Sequence, residues 1–277
     1  MKTIKTLLIL CATLCFAASC QKEVDMTLMQ KTVLENTDIR QIEVNDAWQV
    51  TVVADSCTYV DLEYSAYLEP YLKTKMEGNK LEIGFTGNVY PVINSVFRAI
   101  VHTTQLEKLN ADDAVQVQCD GEFTGSIIEI VLNDASQCKG LVYTGQNCNI
   151  KMVGTSLLID FQFIGSYCKA ELNDDSQFNG QIEATDHLEI ELEGASRFVN
   201  KGGVTTLASI KAHDASRLNM VETLVNEMHI DMTNGSEATI WIDGLMEGRM
   251  QDVSTLYYKG HPQIDVDCSD DSQLIPF

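Results

Sequence analysis

The stretch LNDASQ, Leu132 to Gln137, returns as LNDDSQ at Leu172 to Gln177, and LEGASR at Leu192 to Arg197 follows one interval later. Aligned on its serine, the phrase falls at Ser136, Ser156, Ser176, Ser196, Ser216, Ser236, Ser254 and Ser272, in steps of 20 residues that shorten to 18 after Ser236. A period of this size marks a solenoid, in which each repeat buries its apolar face only by stacking on its neighbours.

The residues eight, six and four before each serine are nonpolar throughout, as in Ile128, Ile130, Leu132 before Ser136 and Leu188, Ile190, Leu192 before Ser196. Those between them are mostly polar, as in Asn147, Asn149, Lys151. Alternation with period two is a strand with one face inward; helical repeats would need a period near 3.6. A turn of Gly, Asp or Asn follows each strand. The serine comes next, and two positions on lies a second, mainly apolar column that includes Cys138, Leu158, Phe178 and Phe198. The serine therefore sits at a corner, its hydroxyl within reach of the turn backbone or of the next serine. A coil of about 20 residues holds three short strands, which predicts an all-β, single-stranded parallel β-helix with coils about 4.8 Å apart. Right-handed winding is the default for parallel crossovers.

The chain begins with Lys2 and Lys5, an apolar run from Leu7 to Phe16, and Ala17-Ala18-Ser19-Cys20. This reads as an export signal over residues 1–19, too short to span a membrane. Small residues directly before Cys20 resemble a bacterial lipobox, which implies acylation of that cysteine and attachment to a membrane through lipid. Gln21 rather than Asp follows, pointing to the outer membrane. Residues 20–34 are expected to form the lipidated N-terminus and a tether, residues 35–104 a strand-rich cap without the serine register, and residues 105–277 the regular coils.

Within 35–277 the chain resembles the family described as putative auto-transporter adhesin, head GIN domain. The features that carry the resemblance are the lipobox, the leading pattern at Ile42, Val44, Trp48, Val50 and Val52, the GNKLEI segment at Gly78 to Ile83, and the recurring GAS or DAS corners. The resemblance implies a β-helix, with an adhesin-like role.

A formal net charge of -21, deepened by loss of Lys2 and Lys5, argues against nucleic acid or an anionic membrane surface as partner. Cys57, Cys119, Cys138, Cys148, Cys168 and Cys268 follow Cys20 with no C-x-x-C spacing, so no metal or cofactor is expected. Stacked Cys148 and Cys168 are expected to remain thiols. Asp134, Asp174 and Asp214 alternate at the corners with Gly154 and Gly194, which suits turns better than a calcium site needing converging oxygens. Arg197 and Arg217, equivalent on adjacent coils, are candidates for an acidic ligand, and Tyr143 and Phe163, read as outward aromatics, for stacking on sugar or protein. Eight equivalent serines without a registered histidine do not make a nucleophile. The expected function is a non-enzymatic envelope scaffold that binds protein or glycan; the alternative is a carbohydrate-active β-helix enzyme such as a polysaccharide lyase.

Overall fold

The computed structural model describes residues 24–277, so the signal and Cys20 lie outside the described residues. The protein is a β-solenoid of about eight turns, and no described helix is long and apolar enough to cross a membrane.

Strands β1 (Leu28–Val33), β2 (Gln41–Val44), β3 (Gln49–Ala54) and β4 (Tyr59–Ser65) lead into a 3-10 turn, Ala66–Tyr71. Strands β5 (Leu72–Glu77), β6 (Lys80–Phe85), β7 (Phe97–Thr103), β8 (Lys108–Ala111) and β9 (Gln116–Asp120) follow. Then come β10 (Glu122–Leu132), β11 (Gln137–Lys139), β12 (Val142–Met152) and β13 (Leu157–Leu172), after which the same winding continues to Gln273–Pro276. From β8 onward each strand pairs in parallel with its equivalent one coil away, as Ile130 with Ile150, Ala170 with Ile190, and Ile190 with Ile210. The inward triplets are buried in the regular coils as far as Met232; Gly248 is exposed between buried Met246 and Met250, and the last triplet, around Ile264 and Cys268, opens to solvent.

The first coil in sequence is not the first in the stack. Strand β2 lies between β6 and β8, and β3 between β7 and β9, all parallel, so residues 41–54 are sandwiched between later segments. The end of the stack is closed by antiparallel strands, β1 on β4, β4 on β7, and β5 on β6, with the 3-10 turn bridging the two sides. Antiparallel edges and a turn stop the ladder from templating further pairing. The tether expected through residue 34 is consequently shorter, because β1 pairs along its whole length and Asp25 O already accepts Tyr67 N at 3.1 Å.

Each serine corner carries at least one left-handed residue, and those at Asn234-Gly235, Asp252-Val253 and Asp270-Asp271 carry two in succession. Asp134, Asp174, Asp214, Asn234, Asp252 and Asp270 take φ of 52–62°, and Gly154 and Gly194 take 76° and 74°. Asn, Asp and Gly are the residues that enter this region at least cost. The alternation also has a steric reason: a Cβ on Gly154 would stand 2.8 Å from the Asp134 carbonyl oxygen, while the Gly154 N–H donates to Asp174 Oδ2 at 3.1 Å. The corner serines from Ser136 to Ser254 are buried, with Trp48 and Val115 in the equivalent positions of the first coils. Ser254 Oγ donates to Met232 O at 3.3 Å and Ser272 Oγ to Met250 O at 3.0 Å. The six hydroxyls from Ser136 to Ser236 have no protein partner among the described residues, so serine-to-serine bonding does not form.

Candidate functional site

The sequence candidates fare differently. Tyr143 and Phe163 are not outward: each is 1% exposed, their rings stack at 6.5 Å, and Tyr143 Oη donates to Ile127 O at 2.8 Å. Counting back in twos from inward Cys148 and Cys168 places both rings outside, but each strand turns a corner at Gly145 or Gly165 and the alternation changes phase there. The glycines are demanded by contact between coils, since a Cβ on Gly165 would lie 2.3 Å from Gly145 O. Tyr167, beyond that corner, does face outward, and its hydroxyl donates to Glu189 Oε2 at 2.8 Å. Burial raises the Tyr167 phenol, and with the Glu189 hydrogen bond it reaches about 12.

Arg197 and Arg217 are exposed register partners, and among the described residues neither forms an ion pair. They continue an outward column that begins with Arg98, Gln49, Gln116 and Gln137. Arg197 lies three coils beyond Gln137, about 14 Å along the shaft, so it is separate from the main concavity of this face.

That concavity, about 970 Å³, opens on the outer surface of the sheet containing β1, β4, β7, β3, β9, β11 and β13. Its cap side is internally bonded: Arg98 bridges Gln49 at 3.0 Å and Glu63 at 3.0 Å, and Thr32 Oγ1 donates to Asp61 at 2.5 Å. Its shaft side is a ladder of amides, with Gln49 in register with Gln116, Gln116 with Gln137, and Gln118 with Lys139. Gln118 Nε2 donates to Cys119 O at 3.1 Å, while the side chains of Gln116 and Gln137 have no hydrogen bond among the described residues. Alternation directs these side chains outward because Val117 and Cys138 between them fill the core. The signal was present one residue after four of the corner serines, at Gln137, Gln177, Arg197 and Arg217, with Leu157 interrupting the column. Adding Gln49 to that column required the out-of-order stacking of β3.

Another lateral face is occupied by its own charges. Lys169 Nζ lies 2.9 Å from Glu171 and 3.0 Å from Glu189, and Lys211 Nζ lies 2.7 Å from Glu191. Partial burial pushes Glu171 and Glu189 up, and their hydrogen bonds more than reverse it, leaving both below the usual glutamate range. Nearer the cap, Asp112, Asp113 and Asp134 converge at consecutive corners; burial raises the Asp112 carboxyl, and Asp134 adds to the rise. His102 Nδ1 pairs with Asp55 at 2.9 Å and its ring stacks on Tyr59 at 4.0 Å, locking the imidazole into the β4–β7 pairing.

Solved structures share the architecture. A putative lipid binding protein from Parabacteroides distasonis superposes with a TM-score of 0.68 at 14% identity, covering 92% of this chain and 98% of that one. A putative adhesin from Parabacteroides merdae gives 0.62 at 13% identity, covering 91% and 96%. A putative adhesin from Parabacteroides distasonis gives 0.60 at 14% identity, covering 91% and 98%. At these identities the likeness shows the fold. No curated protein matches the chain. Residues 38–262 match the family described as putative auto-transporter adhesin, head GIN domain, and the chain belongs to that family.

Proposed function

We propose that this protein is a non-enzymatic, adhesin-like lipoprotein of the cell envelope, held by acyl chains on Cys20, that binds a glycan through the amide-lined concavity on its lateral face. The observation that carries the reading is the register of Gln49, Gln116 and Gln137, with Gln118 beside them, in a concavity of about 970 Å³. A carboxamide offers both donors and an acceptor, the pairing that vicinal sugar hydroxyls require. The volume lies within the range of small-molecule sites. The lining holds no aromatic residue and one arginine, so recognition here rests on the hydrogen bonds of the amides rather than on ring stacking. The adhesin descriptions of the family and of the Parabacteroides structures support a binding role.

The test is a glycan array probed with the full-length protein. Binding should be lost in the Gln116→Ala/Gln137→Ala double variant and retained in Arg197→Ala/Arg217→Ala. An empty array, or binding indifferent to the two glutamines, would refute the glycan reading. Release of unsaturated oligosaccharide from a bound polymer would replace it with a lyase.

A further inference from the structure

The solenoid end that receives the N-terminus also carries an apolar loop. Residues 86–96, TGNVYPVINSV, join β6 to β7 without a single charged side chain, in a protein of net charge -21. Tyr90 and Ile93 are 87% and 85% exposed, the highest values among the large hydrophobic residues described. Isolated exposed apolar side chains are ordinary, but adjacent ones on a held, uncharged tip are not.

The tip is held from both sides. Phe85 and Phe97 flank the loop and pack on buried Trp48 at 5.5 and 5.9 Å. Thr86 N donates to Tyr71 O at 2.7 Å, and Val96 N to Ser65 Oγ at 3.0 Å. At the tip, Ser95 N closes a turn on Val92 O at 3.0 Å, Asn94 takes φ 68°, and Val92 N donates to Tyr67 Oη at 2.8 Å. A loop fixed in this way presents its apolar tip at little ordering cost.

The same Tyr67 fixes the entering chain, because its backbone N–H donates to Asp25 O at 3.1 Å. Asp25 is five residues from Cys20, a span of at most about 18 Å when fully extended. Acyl chains on Cys20 therefore bring a bilayer to the cap end of the solenoid, where the loop projects. We infer that the Tyr90–Ile93 tip beds into the leaflet that holds the Cys20 acyl chains, forming a second contact that orients the shaft on the membrane. Tyrosine suits the boundary between headgroups and acyl chains, and isoleucine suits the region beneath it. With an uncharged tip on an acidic body, the contact depends on apolar insertion rather than on anionic lipid. One lipid anchor fixes a point, whereas an anchor and a wedge together restrict tilt.

This inference rests on the anchoring of Cys20 proposed above, and the experiment separates the two. Full-length, lipidated protein is reconstituted into phosphatidylcholine vesicles with and without brominated acyl chains. Tryptophan is placed at the tip by Tyr90→Trp, or at the exposed chain end by Phe277→Trp, and the emission of the parent, from Trp48 and Trp241, is subtracted. The expected result is flotation of the parent, loss of flotation in Cys20→Ser, and blue-shifted emission quenched by bromine for Tyr90→Trp but not for Phe277→Trp. Flotation with unquenched Tyr90→Trp emission overturns the loop contact and leaves the anchor standing. A parent that does not float overturns the anchor, and the loop contact falls with it. Self-association abolished by Ile93→Asp, with Tyr90→Trp unquenched, assigns the tip to a second copy of this chain and overturns the lipid contact.

Discussion

Replacement of Ile190 tests the packing of the shaft at its centre. The side chain is 0% exposed and stacks between Ala170 and Ile210 in the inward column. Ile190→Ala removes three carbons, worth about 2.4 kcal/mol of transfer at about 0.8 kcal/mol per methylene. A residual cavity adds to this, and Ala170 on one side has no side chain long enough to fill it. A loss of about 4 kcal/mol is expected, in the upper part of the usual range of about 2–5 kcal/mol. Ile190→Asp adds a titration. Desolvation raises the buried carboxyl above its unfolded value of about 3.9, so the folded state retains the proton over the window between the two values. The contribution of the protonated form is fully present below the unfolded pKa. It is lost at about 1.4 kcal/mol per pH unit as pH rises toward the folded pKa. Urea unfolding followed by circular dichroism at pH 4.5 and pH 7 should show Ile190→Asp falling progressively behind Ile190→Ala as pH rises. A parent-like midpoint for Ile190→Asp at pH 7, or a gap between the variants that ignores pH, would refute the register and the burial of this column.

Two further outcomes follow from the cap and the interior. Glu82 is held by hydrogen bonds from Lys73 and Lys80, both at 2.8 Å, which pull its carboxyl down to about 2. A depressed carboxylate stabilises the fold above its unfolded pKa and loses that contribution as pH falls toward 2. Because the lysines are 39% and 29% exposed, solvent screening limits Glu82→Gln to a cost of about 1–2 kcal/mol at pH 7, which shrinks below the unfolded pKa and is lost as pH falls through about 2, as followed by thermal melts. Cys148 and Cys168 are buried register partners, and burial pushes the Cys148 thiol well up, which slows its oxidation. Alkylation after unfolding without reductant, read by mass spectrometry, should modify both cysteines, and an unalkylated linked pair would refute the thiol assignment.

Where a pattern is local and repeated, sequence alone determined the structure. The serine register specified the coil length, the inward triplets specified the stacked columns, and the Asp, Asn and Gly residues marked the corners. These follow because alternation and left-handed turn preference are properties of the strand and turn themselves, and identical coils repeat the same signal until it is unambiguous. The tertiary structure decided what depends on meeting a distant segment. It inserted β2 and β3 between strands that come later in the chain, a choice governed by which apolar edges fit together and invisible to local periodicity. It turned Tyr143 and Phe163 inward, since the close approach of coils at Gly145 and Gly165 changes the phase of the alternation. It brought Gln49 beside Gln116 and Gln137 to complete the candidate site. It also tied the Asp25 and Val92 backbones to one tyrosine, placing the apolar loop at the end where the chain enters, a juxtaposition that needs three separate segments to converge.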